Sequence, residues 1–385
     1  MKVLIIGNGF DLAHGLETKY SDFLRYCKQK TISKLPQDNT LRKSLENNFW
    51  LSHFLMRSID IGNTWIDFED EILSAVVNVS RLVDAKWMVF PRFFAFNSTN
   101  GSQTSYKLIQ KRTEIQTFYH EKKSCISSVI DSSLELLSED YTSWTQVIND
   151  ANSNGKGYCG FSCNNMIAVL FKNKEGAVNY IYDELRRFVK ALEYYLISIN
   201  YQAPRILYTI REGIRLNSVI SFNYTKTFEN LYSDYSRNII YLHGSISSVD
   251  KKERLSCNMV LGTRSFENTD IIEDCFSIFQ KFHQRQRYNN INAYQALLRH
   301  TDLADNRNNW IGITGHSLNS ADRYLINNIL TASNKTQITV YYHDETSKIC
   351  LIDNIYALLG EKDAERRVHF IHQHDRENGL LIPKN

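Results

Sequence analysis

The sequence is poor in proline, in long apolar runs and in net charge. It has four prolines in 385 residues, and no stretch reaches the roughly 18 apolar residues that a transmembrane helix needs. The N-terminus lacks the charged segment, apolar segment and cleavage site of a secretory signal, so we expect a cytoplasmic protein. With 45 basic and 42 acidic residues the formal charge is only +3. That charge, without a basic arm or acidic tail, indicates neither nucleic acid nor a membrane surface as a partner.

Metal-binding patterns are also scarce. The seven cysteines are an odd, scattered number, which suits a reducing compartment. Cys159 and Cys163 form the only close pair, whereas a structural zinc site needs a second pair at short spacing. His372 and His374 would share one face of a strand near His369, but no third ligand is fixed. We therefore predict no metal site and interpret these histidines as a solvated strand edge.

Strands and helices alternate in the last part of the chain. From about residue 217, short β-branched apolar runs are separated by stretches of helical periodicity, which predicts βαβ units and a parallel sheet. The opening run at 3–6 has no strand partner nearby in sequence and most simply joins this sheet. We therefore predict an α/β fold, a Rossmann-like parallel sheet flanked by helices. The predicted strands are 3–6, 219–222, 239–242, 259–261, 310–314, 338–342 and 368–371, and the predicted helices are 10–30, 226–235, 266–299, 320–332 and 346–359.

The middle of the chain has a different pattern. Helical periodicity dominates at 40–90, 105–145 and 176–198. We therefore predict three segments. Residues 1–30 form the first strand and helix of the Rossmann-like domain, 31–214 form a large, mainly helical insert, and 215–385 form the remainder of that domain.

Glycine and polar residues stand directly after several predicted strands. Because the carboxyl ends of parallel strands meet at one edge of a sheet, we expect these residues to be neighbours. Gly7 and Gly9 end the first strand and open a helix, where free N–H groups favour a phosphate. The third glycine of the dinucleotide fingerprint is Leu12 here. Taken alone, this turn leaves a phosphate site and a simple turn equally open. The segments concerned are Gly7-Asn8-Gly9, Asn223, His243-Gly244 and Gly315-His316-Ser317.

Most of these residues also have a purely structural interpretation. Asn223 could cap the helix predicted at 226–235, and Ser317 could cap the helix predicted at 320–332. Asp11 could complement the dipole of the first helix, and His316 could order its turn. For His243 we favour a catalytic role, since Asn223 and two glycine turns share its edge.

Several blocks of sequence resemble a known family. Together they resemble the AbiH family of bacterial phage abortive-infection proteins, and this resemblance implies a role in antiviral defence. The blocks are Gly7-Asn8-Gly9-Phe10-Asp11 with Gly15, Leu16 and Tyr20; Trp65-Ile66-Asp67-Phe68-Glu69; Phe222-Asn223-Tyr224-Thr225; Leu242-His243-Gly244; and Gly315-His316-Ser317-Leu318 with Asp322.

The order of these blocks is more distantly similar to that of sirtuins and sirtuin-like NAD-consuming effectors. This similarity implies NAD as substrate or ligand, with Asn223 at its nicotinamide end and His243 catalytic. It also implies that Gly315 and Ser317 hold the adenosine ribose. Three features depart from sirtuins, and one is the bulky Asn8 in place of a small residue in the first glycine turn. Thr225 replaces an acidic residue, and the zinc cysteines are absent, which favours NAD hydrolysis over protein deacylation.

Three functions follow from these patterns. The first is an abortive-infection effector that hydrolyses NAD to nicotinamide and ADP-ribose, with Asn223 and His243 catalytic. The second is a non-catalytic module that senses NAD, ADP-ribose or another nucleotide, which Thr225 favours. A nuclease has less support, from Asp67 and Glu69 alone. A second copy of the chain or another defence protein is a possible partner. The predicted cofactor-binding residues are Gly7, Asn8, Gly9, Phe10, Asp11, Gly244, Gly315, His316 and Ser317.

Overall fold

The structure is a computed structural model, and the chain divides into two compact units. The first unit comprises Met1–Phe23, Glu193–Ser265 and Lys281–Asn385, and the second comprises Leu24–Leu192 and Phe266–Gln280. The residues described are 1–29, 39–45, 48–51, 54, 68–73, 76, 88–93, 158–163, 166–171, 174–200, 208–211, 214–236, 238–246, 258–263, 274–299, 309–318 and 322–383.

The elements are numbered in chain order. The strands are β1 (Lys2–Ile6), β2 (Met88–Phe93), β3 (Tyr158–Cys163), β4 (Met166–Phe171), β5 (Tyr208–Ile210), β6 (Ser218–Ser221), β7 (Ile239–Tyr241), β8 (Trp310–Thr314), β9 (Gln337–Tyr342), β10 (Val368–His372) and β11 (Leu381–Pro383). The helices are α1 (Asn8–Ala13), α2 (Tyr20–Gln29), α3 (Thr40–Leu45), α4 (Lys174–Asn200), α5 (Thr227–Tyr232), α6 (Lys281–Arg287), α7 (Asn292–Arg299), α8 (Arg323–Thr331), α9 (Glu345–Leu359) and α10 (Glu361–Arg367), with a 3₁₀ helix at Asp274–Phe279.

A six-stranded parallel sheet forms the centre of the first unit. Its strand order is β10-β9-β8-β1-β6-β7. The opening strand pairs with β6 through Val3 and Ser218, and with β8 through Lys2 and Trp310. The predicted parallel sheet flanked by helices is therefore confirmed, and so is the place of the first strand within it.

Both faces of the sheet are buried at its central strands β1, β6 and β8, which explains why these strands are largely apolar. In β1, Val3 and Ile5 face a core that includes residues of α7, α8, α9 and α10. Leu4 and Ile6 face the opposite core, which includes residues of α1 and α5 and the short antiparallel pair β5–β11. Because alternate residues of a strand point to opposite faces, the sequence KVLII fills both cores at once.

The strand predicted at 259–261 is wrong. This segment is buried but lies outside the sheet. Its backbone bonds elsewhere, since the Gln284 amide accepts from the N–H of Leu261 at 3.1 Å and donates to its carbonyl at 2.9 Å. The N–H of Val260 donates to the carbonyl of His243 at 2.8 Å. These bonds satisfy the segment without a neighbouring strand.

Two predicted helices are broken. The helix expected at 10–30 is divided into α1 and α2, with Gly15 at φ +75° between them. That conformation suits glycine after a helix and ends its hydrogen-bond ladder. The helix expected at 266–299 is divided into the 3₁₀ helix, α6 and α7.

The second unit contains strands as well as helices. In the second unit, β2, β4 and β3 form an antiparallel sheet beside helical segments. An aromatic cluster packs within this unit. Its closest pair is Phe54 and Phe68, with ring centroids 4.0 Å apart, and Trp50 stacks on Phe54. The helix predicted at 105–145 lies outside the described residues. Within the described part of the chain, no helix is long and apolar enough to cross a membrane.

The order of the strands positions the site. β1 and β8 are neighbours, but the chain continues from β1 to β6 on one side and from β8 to β9 on the other. The helices that follow them also lie on opposite faces, since Phe10 of α1 and Leu325 of α8 belong to different cores. Open α/β sheets bind ligands outside the carboxyl ends of the strands at such a switch point.

Candidate functional site

Two glycine turns meet at the switch point and pack backbone against backbone. The N–H of Gly7 donates to the carbonyl of Thr314 at 3.1 Å, and the N–H of Gly9 donates to that of Gly315 at 2.8 Å. A Cβ on Gly315 would lie 2.1 Å from the backbone nitrogen of Phe10, and its φ is +65°. The glycines are thus needed for this contact. Free N–H groups were the reason to expect phosphate here, and those of Gly7 and Gly9 are already bonded.

A buried carboxyl lies beside the first turn. The Asn223 amide donates to the carbonyl of Gly7 at 2.9 Å, and Thr225 Oγ1 donates to Asp11 Oδ2 at 2.5 Å. Only 1% of Asp11 is exposed. Asn223 does not cap α5, because Lys226 occupies the cap position and the helix has no side-chain cap bond. The Asp11 carboxyl of α1 therefore lies directly against the Thr225 side chain.

Asp11 titrates far above its usual range. Burial raises the pKa of Asp11 to about 6, and hydrogen bonds from Thr225, Thr227 and Asn223 oppose the rise. Since its unfolded-state pKa is about 3.9, the folded protein binds this proton more tightly. Stability is therefore expected to fall as the pH rises from about 4 to about 6, by at most about 3 kcal/mol from this group.

The Asp11→Asn variant tests this pH-dependent loss of stability, because the asparagine side chain stays uncharged at every pH. The unfolding free energy of the variant minus that of wild type should therefore rise by up to about 3 kcal/mol from about pH 4 to about pH 8. Denaturant unfolding at both pH values measures the gain, with the exposed Asp234→Asn as control. An equal difference between Asp11→Asn and wild type at both pH values would contradict the buried, titrating carboxyl.

A second polar cluster surrounds His243. Its Nε2 lies 3.2 Å from Asp322 Oδ2, while Lys281 Nζ lies 3.5 Å from the same oxygen and Arg285 Nη1 lies 3.4 Å from Oδ1. All four side chains are buried. Burial raises the pKa of Asp322, but Lys281, His243 and Arg285 together bring it well below its usual range. Asp322 is therefore ionised at neutral pH.

His243 is neutral at physiological pH. Burial lowers its pKa to about 4, and Lys281 and Arg285 add to this effect while Asp322 opposes it. This value lies well below the ordinary pKa of histidine, which is about 6.5. Since an ionised carboxylate only accepts, Nε2–H donates to Asp322 and Nδ1 carries a lone pair. Among the described residues, this buried Nδ1 has no hydrogen-bond partner.

His316 orders the second turn. Its Nδ1 accepts from the backbone N–H of Leu318 at 2.9 Å. Leu318 itself has φ +58°, so the bond helps to hold an unusual backbone conformation. Burial lowers the pKa of His316 to about 4. The neutral ring therefore carries its proton on Nε2 and can donate it to a ligand.

Three residues predicted to bind a cofactor have different surroundings. Phe10 lies in the core, with its ring 5.9 Å from that of Tyr232. Gly244 has φ +76°, and a Cβ there would lie 2.3 Å from the carbonyl oxygen of Asn258. Ser317 is exposed, and its carbonyl accepts from the Asn354 amide at 2.8 Å. Packing thus accounts for Phe10 and Gly244, while the Ser317 side chain is open to solvent.

The predicted strand ends do converge on one edge. Ser221 pairs with Tyr241, so Asn223 and His243 each stand two residues beyond the ends of neighbouring strands. The ring of Phe222 contacts both imidazoles, with centroids 5.5 Å from His243 and 4.3 Å from His316. The edge therefore carries two polar clusters, one around Asp11 and one around Asp322. Binding roles at this edge stay predictions.

The histidines near the C-terminus make structural hydrogen bonds. His372 Nε2 lies 2.9 Å from the carbonyl of His343, and His374 Nδ1 lies 3.0 Å from that of Leu381. His369 is exposed. No group of three or more metal-ligating side chains occurs in the ranges that the structure describes.

Comparison with known families decides the identity of the chain. The sequence profile described as bacteriophage abortive infection AbiH matches residues 3–343. This match covers most of the chain and both glycine turns. The chain belongs to the AbiH family. Searches of curated proteins and of solved structures found no match. Membership of AbiH implies phage abortive infection and leaves the chemistry to be inferred from the site.

Sequence reasoning missed two cations of this AbiH site. Lys281 and Arg285 are one helical turn apart in α6, and a basic helix of this kind usually forms a solvated face. Their spacing could have indicated a shared partner. Asp322 was noted only through the AbiH resemblance, without a role. The sequence signal for Asp322 is its position, because it is an acidic residue that follows the turn at the end of a predicted strand.

Proposed function

We propose that this AbiH family member is an anti-phage effector that hydrolyses NAD to nicotinamide and ADP-ribose. The observation that carries the proposal is the neutral imidazole of His243, whose Nδ1 is buried and unpartnered among the described residues. It stands at the sheet edge where open α/β folds bind ligands. The sirtuin-like order of the strand-end residues supports NAD as the ligand.

The reaction requires a positioned base. The electron pair of the bond between ribose C1′ and nicotinamide passes to the ring nitrogen, which loses its positive charge as nicotinamide leaves. Water attacks C1′, and its proton goes to His243 Nδ1. His243 can accept it at neutral pH because its lowered pKa keeps the ring neutral. A positioned general base typically contributes about 10²–10⁴-fold to the rate.

Asn223 and Asp11 would complete the nicotinamide end. The bond from the Asn223 amide to Gly7 holds this side chain, so it can orient the water or the carboxamide. Asp11 beside Thr225 supplies a carboxyl near the position where sirtuins carry an acid. With this carboxyl beside it, Thr225 is compatible with catalysis as well as with a non-catalytic sensor. Exposed Ser317 would contact the adenosine ribose.

Two measurements on the purified full chain test the proposal. Calorimetry should detect binding of NAD but not of ATP, and chromatography should find nicotinamide and ADP-ribose in equal amounts. Extract of phage-infected cells is added in parallel as a possible trigger. Binding of NAD or ADP-ribose without any turnover would favour the sensor, and absence of both would reject both functions.

A further inference from the structure

Asp322 stands where a helix cap is expected, yet it does not cap. It directly precedes α8, and aspartate is among the preferred residues at that position. Its side chain nevertheless makes no cap bond. Both carboxylate oxygens face other groups instead, with His243 and Lys281 at Oδ2 and Arg285 at Oδ1. The role of this carboxylate therefore lies at the sheet edge rather than in helix stability.

The two cations keep this carboxylate charged. A buried carboxylate without compensation would take up a proton. Lys281 and Arg285 offset that tendency, because they lie one turn apart on α6 and approach different oxygens. Among the described residues, two further titratable side chains lie near His243. His316 is neutral and lies across Phe222, and the ring of Tyr224 lies 6.3 Å from that of His243. Asp322 is thus the sole anion among the described groups that face His243.

An ionised Asp322 determines which nitrogen of His243 carries the proton. The carboxylate has only acceptor sites, so a hydrogen bond at Nε2 requires a proton on that nitrogen. Nδ1 then has the lone pair, and no described group satisfies it. A base with its lone pair unoccupied is what proton abstraction from a water requires.

We propose that Asp322 is a positioning residue: clamped by Lys281 and Arg285, it holds His243 in the Nε2-protonated tautomer and stabilises the imidazolium formed when Nδ1 takes a proton. Stabilisation of the imidazolium rests on the proposed NAD hydrolysis, whereas the assignment of the tautomer does not depend on it. In a Ser-His-Asp triad, an Asp-to-Asn change that imposes the wrong tautomer lowers turnover about 10⁴-fold.

The Asp322→Asn variant tests the proposal, because asparagine has nearly the same side-chain volume as aspartate. Its amide can donate to Nε2, which would move the proton of His243 to Nδ1. We expect kcat for NAD to fall about 10²–10⁴-fold, the range for loss of a positioned base, while KM changes little. Asp344→Asn is the matched control, because Asp344 is a true cap, accepting from the N–H of Ser347 at 2.7 Å. The control should keep wild-type kcat, and a similar loss in both variants would overturn the positioning role.

Nitrogen-15 NMR of histidine-labelled protein reads the tautomer without any enzymatic assay. Loss of the signal in His243→Gln assigns His243. Wild type should show a bare Nδ1 and a protonated Nε2, and Asp322→Asn should show the reverse. A wild-type His243 protonated on Nδ1 would overturn the proposal even if Asp322→Asn does not fold. An NAD assay that fails while the tautomer is as stated would reject the hydrolase and leave the tautomer assignment intact.

Discussion

The His243→Ala variant is expected to hydrolyse NAD about 10²–10⁴-fold more slowly than wild type. Alanine removes Nδ1, the nitrogen proposed to accept the proton from water. The fold should persist, since Asp322 keeps its contacts with Lys281 and Arg285. Nicotinamide release at neutral pH measures the rate. The exposed His369→Ala serves as control and should retain wild-type activity.

Asn223→Ala provides the companion measurement. It removes the amide that donates to Gly7, while the backbone bonds around the turn are kept. Turnover should fall strongly, because water and substrate lose an orienting group. Undiminished hydrolysis by His243→Ala would refute the role of His243 whatever Asn223→Ala does.

The second large effect is expected in stability, for Gly315→Ala. A Cβ there would lie 2.1 Å from the backbone nitrogen of Phe10 and 2.6 Å from the carbonyl carbon of Gly9. Backbone cannot move aside as a flexible side chain can, so the two turns must separate. We expect a loss of about 4 kcal/mol or more in unfolding free energy, the upper tail for single substitutions.

Gly360→Ala separates the clash from the backbone strain. Gly360 has φ +76°, close to the +65° of Gly315, but a Cβ there meets nothing within 4 Å. Because its ψ is 157° as well, the backbone strain alone should cost about 1–3 kcal/mol, less than strain and clash together at Gly315. Denaturant unfolding of both variants makes the comparison. Equal losses would show that the packing of the two turns contributes little.

The sheet was predictable because its central strands are buried on both faces. Such strands are largely apolar runs, which the sequence displays at β1 and again after residue 217. The segment 259–261 has the same composition but no strand partner, because the Gln284 side chain takes its backbone bonds. A side chain 23 positions away cannot be inferred from a local pattern.

For the site, only the residues at the ends of neighbouring strands could be predicted to lie together. Asn223 and His243 share an edge because parallel strands end together. Strand order does not indicate that Asp11 meets Thr225 or that Asp322 meets His243, since these contacts depend on how helices and turns pack. Burial depends on the same packing, and it is burial that lowers the pKa of His243 to about 4 and raises that of Asp11 to about 6.

The most direct test of NAD hydrolysis is the release of nicotinamide from NAD by the purified wild-type chain, measured with and without extract of phage-infected cells. We expect nicotinamide and ADP-ribose in equal amounts, with one proton released per cleavage. The control variant His369→Ala, assayed in the same way, should release nicotinamide at the wild-type rate. NAD that stays intact under both conditions would contradict the account.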